Sequence, residues 1–180
     1  ETPYFAYIID DGEPKRQSVS ENRVELPDDE EHNVILVMDG MSEREFKWSG
    51  EIGFAFSDID CHDGEMNGFI PKQNRILFVG DSILEGIMTL GGESVSEFNS
   101  ASHSVSWYTA RALCAEPYFI GYGSSGIATG GSFNTTSNSL DYLSEKRHIP
   151  TEDYPNCDLI VLNSGTNDYD TKDAEFTKVY

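Results

Sequence analysis

Arg75-Ile-Leu-Phe-Val-Gly-Asp-Ser82 decides how this chain is read. Ile76 to Val79 is an unbroken apolar run, and it stops at Gly80-Asp81-Ser82. A short continuous run of this kind predicts a strand buried on both faces, as in a parallel sheet. Beyond it, Ile83, Leu84, Ile87 and Met88 fall at helical spacing. The stretch therefore reads as strand, tight turn, helix, with Ser82 at the helix entrance. The first N–H groups of a helix lack partners within it, and its dipole favours developing negative charge there. A serine so placed can be a nucleophile whose oxyanion finds donors waiting. Taken alone, Gly-Asp-Ser is more often a helix cap than a catalyst.

Two later stretches shift that balance. Pro117 to Tyr122 reads as a second buried strand and ends in Gly121-Tyr-Gly-Ser-Ser-Gly126. Asp158-Leu-Ile-Val-Leu-Asn163 reads as a third and ends in Ser164-Gly-Thr-Asn-Asp168. In an open α/β sheet the carboxyl ends of the strands converge on one edge, where ligands bind. A serine, a glycine N–H and an asparagine amide would face one small volume there. Ester hydrolysis needs such a set: a nucleophile, and donors aimed at the oxygen that becomes negative.

Gly80-Asp81-Ser82-Ile83, Ser125-Gly126 and Gly165-Thr166-Asn167-Asp168, in this order and each after a strand, resemble the first three sequence blocks of the SGNH (GDSL-type) hydrolases. The resemblance covers residues 73 to 170. It implies a flavodoxin-like α/β domain with Ser82 as nucleophile. It also implies an oxyanion hole made by the N–H of Ser82, the N–H of Gly126 and the side-chain amide of Asn167. No metal or organic cofactor is implied.

The family's fourth block, Asp-x-x-His, supplies its general base, and it is missing. The histidines are His32, His62, His103 and His148, and none has Asp three residues before it. Neither His103 nor His148 is assigned as the base. Three parallel strands are readable after residue 74, against about five in a doubly wound sheet of this type. The expectation is a fragment whose remaining strands, and whose histidine, come from sequence or a chain not included. An open edge of a parallel sheet would otherwise expose apolar surface and unpaired backbone.

Residues 1 to about 70 have another character. Tyr4 to Ile9 is aromatic and β-branched and ends in the turn Asp10-Asp11-Gly12. Val24 to Leu26 and Asn33 to Met38 read as further strands, and Ile52, Phe54 and Phe56 alternate with Gly53, Ala55 and Ser57. Short strands and frequent turns without an amphipathic helix predict an antiparallel sandwich. This part carries 18 acidic and 5 basic residues, against 14 and 7 in the rest. That shift predicts a domain boundary between Asp58 and Lys72, giving a β-sandwich at 1–70 and an α/β domain at 71–180.

A β-sandwich ahead of an SGNH domain resembles carbohydrate esterase family 2, a jelly roll followed by the hydrolase. Ile9-Asp-Asp-Gly12 is similar to a turn of that jelly roll. Glu31-His32-Asn-Val-Ile-Leu-Val37 with Ser42-Glu43 is similar to its next strand and polar pair. The resemblance implies an acetyl xylan esterase-like enzyme that removes acetyl groups from polysaccharide, and a jelly roll incomplete at its start. It also favours secretion, although the chain shows no signal peptide and leaves localisation open. The alternatives are another SGNH lipase or thioesterase, and a carbohydrate-binding module without catalysis.

Other features narrow the field. The net charge of −20 over 180 residues argues against nucleic acid and anionic membrane surfaces as partners. No apolar run is long enough to span a bilayer. Cys61, Cys114 and Cys157 are odd in number and form no Cys-x-x-Cys pair, so neither a disulfide framework nor zinc is expected. Cys114 and Cys157 adjoin apolar runs and read as buried thiols. Asp58 to Gly64 fails the calcium-loop pattern and reads as a solvated linker. Val105, Tyr108, Ala112 and Leu113 read as the core face of a helix from His103 to Ala115, with Trp107 off that stripe. Gly130 to Ser139 reads as a polar loop near the cleft.

Overall fold

The computed structural model describes residues 1–130, 134–149 and 156–169. Its elements are β1 (Tyr4–Ile9), β2 (Lys15–Ser18), β3 (Val34–Gly40), β4 (Asn74–Gly80), α1 (Val105–Ala112), β5 (Ala115–Gly121), α2 (Thr136–Ser139), β6 (Tyr142–Ser144), β7 (Arg147–His148) and β8 (Leu159–Asn163). The fold is mixed α/β.

The apolar run forms the centre of the second sheet, as its composition predicts. β4 lies between β5 and β8, and all three strands are parallel. Both faces of β4 are covered. Ile76 and Phe78 pack with Leu84, Ala110 and Ala115, while Leu77 and Val79 pack with Ile120 and Ile149. Burial on both sides leaves no position for a polar residue, which is why the run is unbroken. Gly80, the last residue of β4, is in register with Gly121 of β5 and Asn163 of β8. The three loops therefore leave the sheet at one level, at the point where the chain order reverses.

The remaining expectations for this half need correction. Ser82 does not open a helix. The segment after it is a series of turns, in which Glu85 N–H donates to the Asp81 carbonyl and Ile87 N–H to the Ser82 carbonyl. Gly86 at φ 74° and Met88 at φ 59° take left-handed conformations that break any α-helix. α1 forms where expected but turns a different face inward. Ser106, Trp107 and Ala110 are buried, whereas Val105, Tyr108 and Leu113 are 60%, 43% and 53% exposed. Trp107 stacks on Phe119 with ring centroids 6.5 Å apart. Spacing identifies a stripe on a helix, but only the packed sheet decides which stripe is covered. Cys114 is exposed at a left-handed φ of 48°, not a buried thiol. Of the loop Gly130 to Ser139, residues 131–133 lie outside the described residues, and Thr136–Ser139 forms the short helix α2.

The first part holds one three-stranded antiparallel sheet in the order β2-β1-β3. Ala6 and Ile8 alternate inward at 0% and 3% exposure. Gly12 N–H closes the turn onto the Ile9 carbonyl, as the Asp-Asp-Gly sequence predicts. The second sheet of a sandwich is not among the described residues. Val24–Leu26 and Ile52–Ser57 form no strand. The alternation at 52–57 is present, but Gly53 brings no side chain and no ladder partner lies alongside. Phe56 is accordingly 58% exposed.

A buried polar seam joins this sheet to the loop before α1. Asp39, at the end of β3, accepts hydrogen bonds from Arg16 Nε, from Ser100 Oγ and, at 2.7 Å, from Ser102 N–H. Arg16 also donates to the carbonyls of Ser96, Glu97 and Asn99. The carboxylate is thus buried and the guanidinium half-buried against fixed dipoles, the condition under which such a pair holds.

Candidate active site

The tight turn after β4 exposes one hydroxyl and buries one carboxylate. Ser82 is partly exposed, and among the described residues its hydroxyl makes no hydrogen bond. Asp81 is wholly buried. Its Oδ1 accepts the N–H of Ile83 at 3.0 Å, and its Oδ2 has no partner. Burial pushes the Asp81 carboxyl above its ordinary pKa and the negative charge of Asp168 adds to this, against the pull of the Ile83 N–H.

The loop after β5 comes to meet the loop after β8. Asn167 Nδ2 donates to the Ser125 carbonyl at 3.0 Å. The Asp168 carboxylate accepts three consecutive N–H groups, from Ile127 at 2.7 Å and from Ala128 and Thr129 at 2.9 Å each. Ser125 is buried and donates its hydroxyl to the Asn134 carbonyl. The Thr136 hydroxyl joins the two loops again, 3.0 Å from Ser164 Oγ. The Gly126 N–H donates to the Thr129 carbonyl at 2.8 Å. This donor is thus paired inside its own loop. Asn167 has one amide hydrogen committed to Ser125, and among the described residues the second has no acceptor.

Residues from the first part brace the same loops. Lys47 Nζ lies 2.6 Å from Glu85 Oε2, and Glu85 Oε1 accepts the N–H of Gly123 at 3.1 Å. Glu85 follows Ser82 by one turn, so a single carboxylate ties the serine turn to the loop after β5. Trp48 is buried edge-on against Tyr122, with centroids 4.9 Å apart. Burial pushes the Tyr122 phenol up to about 12, with Glu85 contributing. Its hydroxyl donates to the Tyr142 carbonyl. Lys47, Trp48, Glu85 and Asp168 were not singled out by sequence reasoning. Asp168 closes the motif Gly165-Thr166-Asn167-Asp168, which by itself assigns it no role. Trp48, one of two tryptophans in the chain, was the available signal for the others.

None of the four histidines serves Ser82 among the described residues. His32 sits between Asp10 and Asp28. His62 lies near Asp60. His103 Nδ1 is 2.8 Å from Ser100 Oγ. His148 packs edge-on against Tyr142.

These features define an open parallel α/β domain with a serine turn at its switch point, tied through Glu85 to the loop after β5, which in turn is bonded to the loop after β8. Its fold is that of the family two carbohydrate esterases. The chain is similar to such an esterase from Clostridium thermocellum in complex with cellohexaose, at 19% identity and TM-score 0.69, covering 99% of this chain and 58% of that one. It is similar to an acetyl xylan esterase from the rumen bacterium Butyrivibrio proteoclasticus, at 18% identity and TM-score 0.68, covering 93% and 50%. A carbohydrate esterase family 2 enzyme with a carbohydrate-binding domain from Corynascus thermopiles (Myceliophthora fergusii) matches at 22% identity and TM-score 0.71, covering 93% and 54%. The chain thus spans between 50% and 58% of the length of these structures. No family model matches the chain, and no curated protein matches its sequence.

Proposed function

We propose that this chain carries the nucleophile and oxyanion loops of a serine esterase that removes O-acetyl groups from carbohydrate. One observation supports the reading: loops from three parallel strands leave one sheet edge at the same level, the Asn167 amide reaches the Ser125 carbonyl beside Gly126, and Glu85 ties the turn of Ser82 to the Gly123 N–H. The family two fold adds the substrate class. Ser82 Oγ attacks the acetyl carbonyl carbon, and its proton passes to a histidine supplied from outside these 180 residues. The oxyanion is held by the Ser82 N–H, the Gly126 N–H and the Asn167 amide. The Gly126 N–H exchanges its bond to Thr129 for the oxyanion. The alkoxide of the sugar leaves with the proton from the histidine. Water then attacks the acyl-enzyme and releases acetate and free Ser82. The reading calls for no metal or organic cofactor.

Two structural proposals accompany this. The domain division falls near residue 70, supported by the irregular, largely exposed stretch between Gly50 and β4. Further strands of the same α/β domain cover β8, supported by Ile160 and Leu162 at 63% and 52% exposure. Carbohydrate is the partner; nucleic acid and membrane are not.

The test is turnover of an aryl acetate and of acetylated xylan by the intact protein. Ser82→Ala should abolish both. Asn167→Ala should lower turnover about 10²–10³-fold without unfolding the protein. Unchanged turnover in Ser82→Ala refutes the reading. Turnover of longer acyl esters or thioesters in preference to acetate would reassign the substrate, and binding of xylan without turnover would leave a binding module.

A further inference from the structure

Resting on the esterase reading, we propose that Asp168 is a positioning residue of this site: its carboxylate holds the backbone of residues 127–129 and so aims the Gly126 N–H. Three successive N–H groups converging on one carboxylate form an anion nest, a fixed and directional clamp. The approach is close. A Cβ on Gly126 would lie 2.5 Å from Asp168 Oδ1, so only glycine admits the carboxylate here. Asn167, the preceding residue, bonds the Ser125 carbonyl. One short turn therefore grips the chain on both sides of Gly126.

The electrostatics fit the same role. A free carboxylate beside a developing oxyanion would oppose catalysis. Asp168 is 8% exposed, and its charge is spent on its donors. Burial acts against the ionised form, but the N–H groups of residues 127–129 and the Thr129 hydroxyl outweigh it and hold the carboxyl below its usual range. The Gly126 N–H rests on the Thr129 carbonyl, and Thr129 is itself held by Asp168. Exchange of that single bond for the oxyanion leaves the clamp in place.

The test is Asp168→Asn in the intact protein, with active serines counted by a phosphonate ester. The neutral isostere turns a donor toward the nest and shifts the loop. Oxyanion bonds act in the transition state, so kcat should fall about 10–10²-fold while KM stays within about twofold. Inhibition by a small alkylboronic acid, which mimics the tetrahedral intermediate, should weaken by the same factor as kcat/KM. A merely structural role would lower the titratable fraction and leave both constants of the surviving sites unchanged, which would overturn the proposal. So would a wild-type kcat, or a KM effect alone. If Asp168→Asn does not fold, Thr129→Val removes only the hydroxyl bond; a kcat loss of about three- to tenfold at constant KM supports the proposal and none overturns it. Ser82→Ala is run in parallel. If it retains turnover, the esterase reading itself fails. If it is inactive while Asp168→Asn is unimpaired, only the role of Asp168 fails.

Discussion

Asp39→Ala tests whether a buried charge pair locks the first sheet onto the α/β half. Asp39 has no exposed side-chain surface, and Arg16 beside it is 15% exposed. The truncation removes three bonds with different consequences. Arg16 keeps the carbonyls of Ser96, Glu97 and Asn99 but loses its counter-charge. The Ser100 hydroxyl can turn to His103 Nδ1 at 2.8 Å. The Ser102 N–H, wholly buried, is left with no acceptor. Breaking a buried pair from one side costs about 3–5 kcal/mol, and an orphaned donor about 1–3 kcal/mol within the same network. The expected loss is therefore about 3–5 kcal/mol, a large share of the roughly 5–15 kcal/mol that holds a domain together. Asp39→Asn keeps an acceptor for Ser102 and gives up the charge, so its loss should be about half as large. Urea unfolding followed by tryptophan fluorescence reads this well, because Trp48 and Trp107 report on the braced loops and on the α/β core. A loss below about 1 kcal/mol for Asp39→Ala, or equal losses for the two variants, would refute the argument.

Asp81 and Asp168 should give opposite pH dependences. Asp81 has a raised folded pKa, so its contribution is full below the unfolded value near 3.9 and is lost as pH rises through the folded value. Asp168 has a lowered one, so its contribution is present above about 3.9 and is lost as pH falls through the folded value. Melting temperatures from pH 3 to pH 7 should show Asp81→Asn gaining on wild type as pH rises and Asp168→Asn losing to it; parallel curves would contradict the assignment. The outer edge of β8 gives a further prediction. If further strands of the domain cover it, the β8 amides that face away from β4 are protected from hydrogen exchange in the intact protein, and rapid exchange there would remove that proposal.

The local chemistry of the chain was enough to find its central strand and the two parallel strands beside it. Ile76 to Val79 had to be apolar throughout because both faces of β4 are covered, so burial wrote itself into four adjacent residues. Gly80, Ser82, Gly126 and Asn167 were legible because each ends or follows a strand at a break in hydropathy. Other features depend on partners remote in sequence. The inward face of α1 is set by the sheet beneath it, which takes Trp107 in place of Val105 and Tyr108. The short helix expected after Ser82, weakened by Gly86, gives way entirely to turns, because Gly86 and Met88 both take a left-handed φ. Alternation at Ile52 to Ser57 promised a strand, but a strand needs a neighbour to bond. Asp168 stands in the motif Gly165-Thr166-Asn167-Asp168, but the motif alone gives it no role. Its place emerges only when the loop after β8 is laid against residues 127–129, because a carboxylate acquires its role from the donors around it. Sequence alone determined the three strands of the parallel sheet and where the polar loops leave them, because burial on both faces marks such strands locally; tertiary structure decided which other segments pair and which backbone groups the loops present to one another.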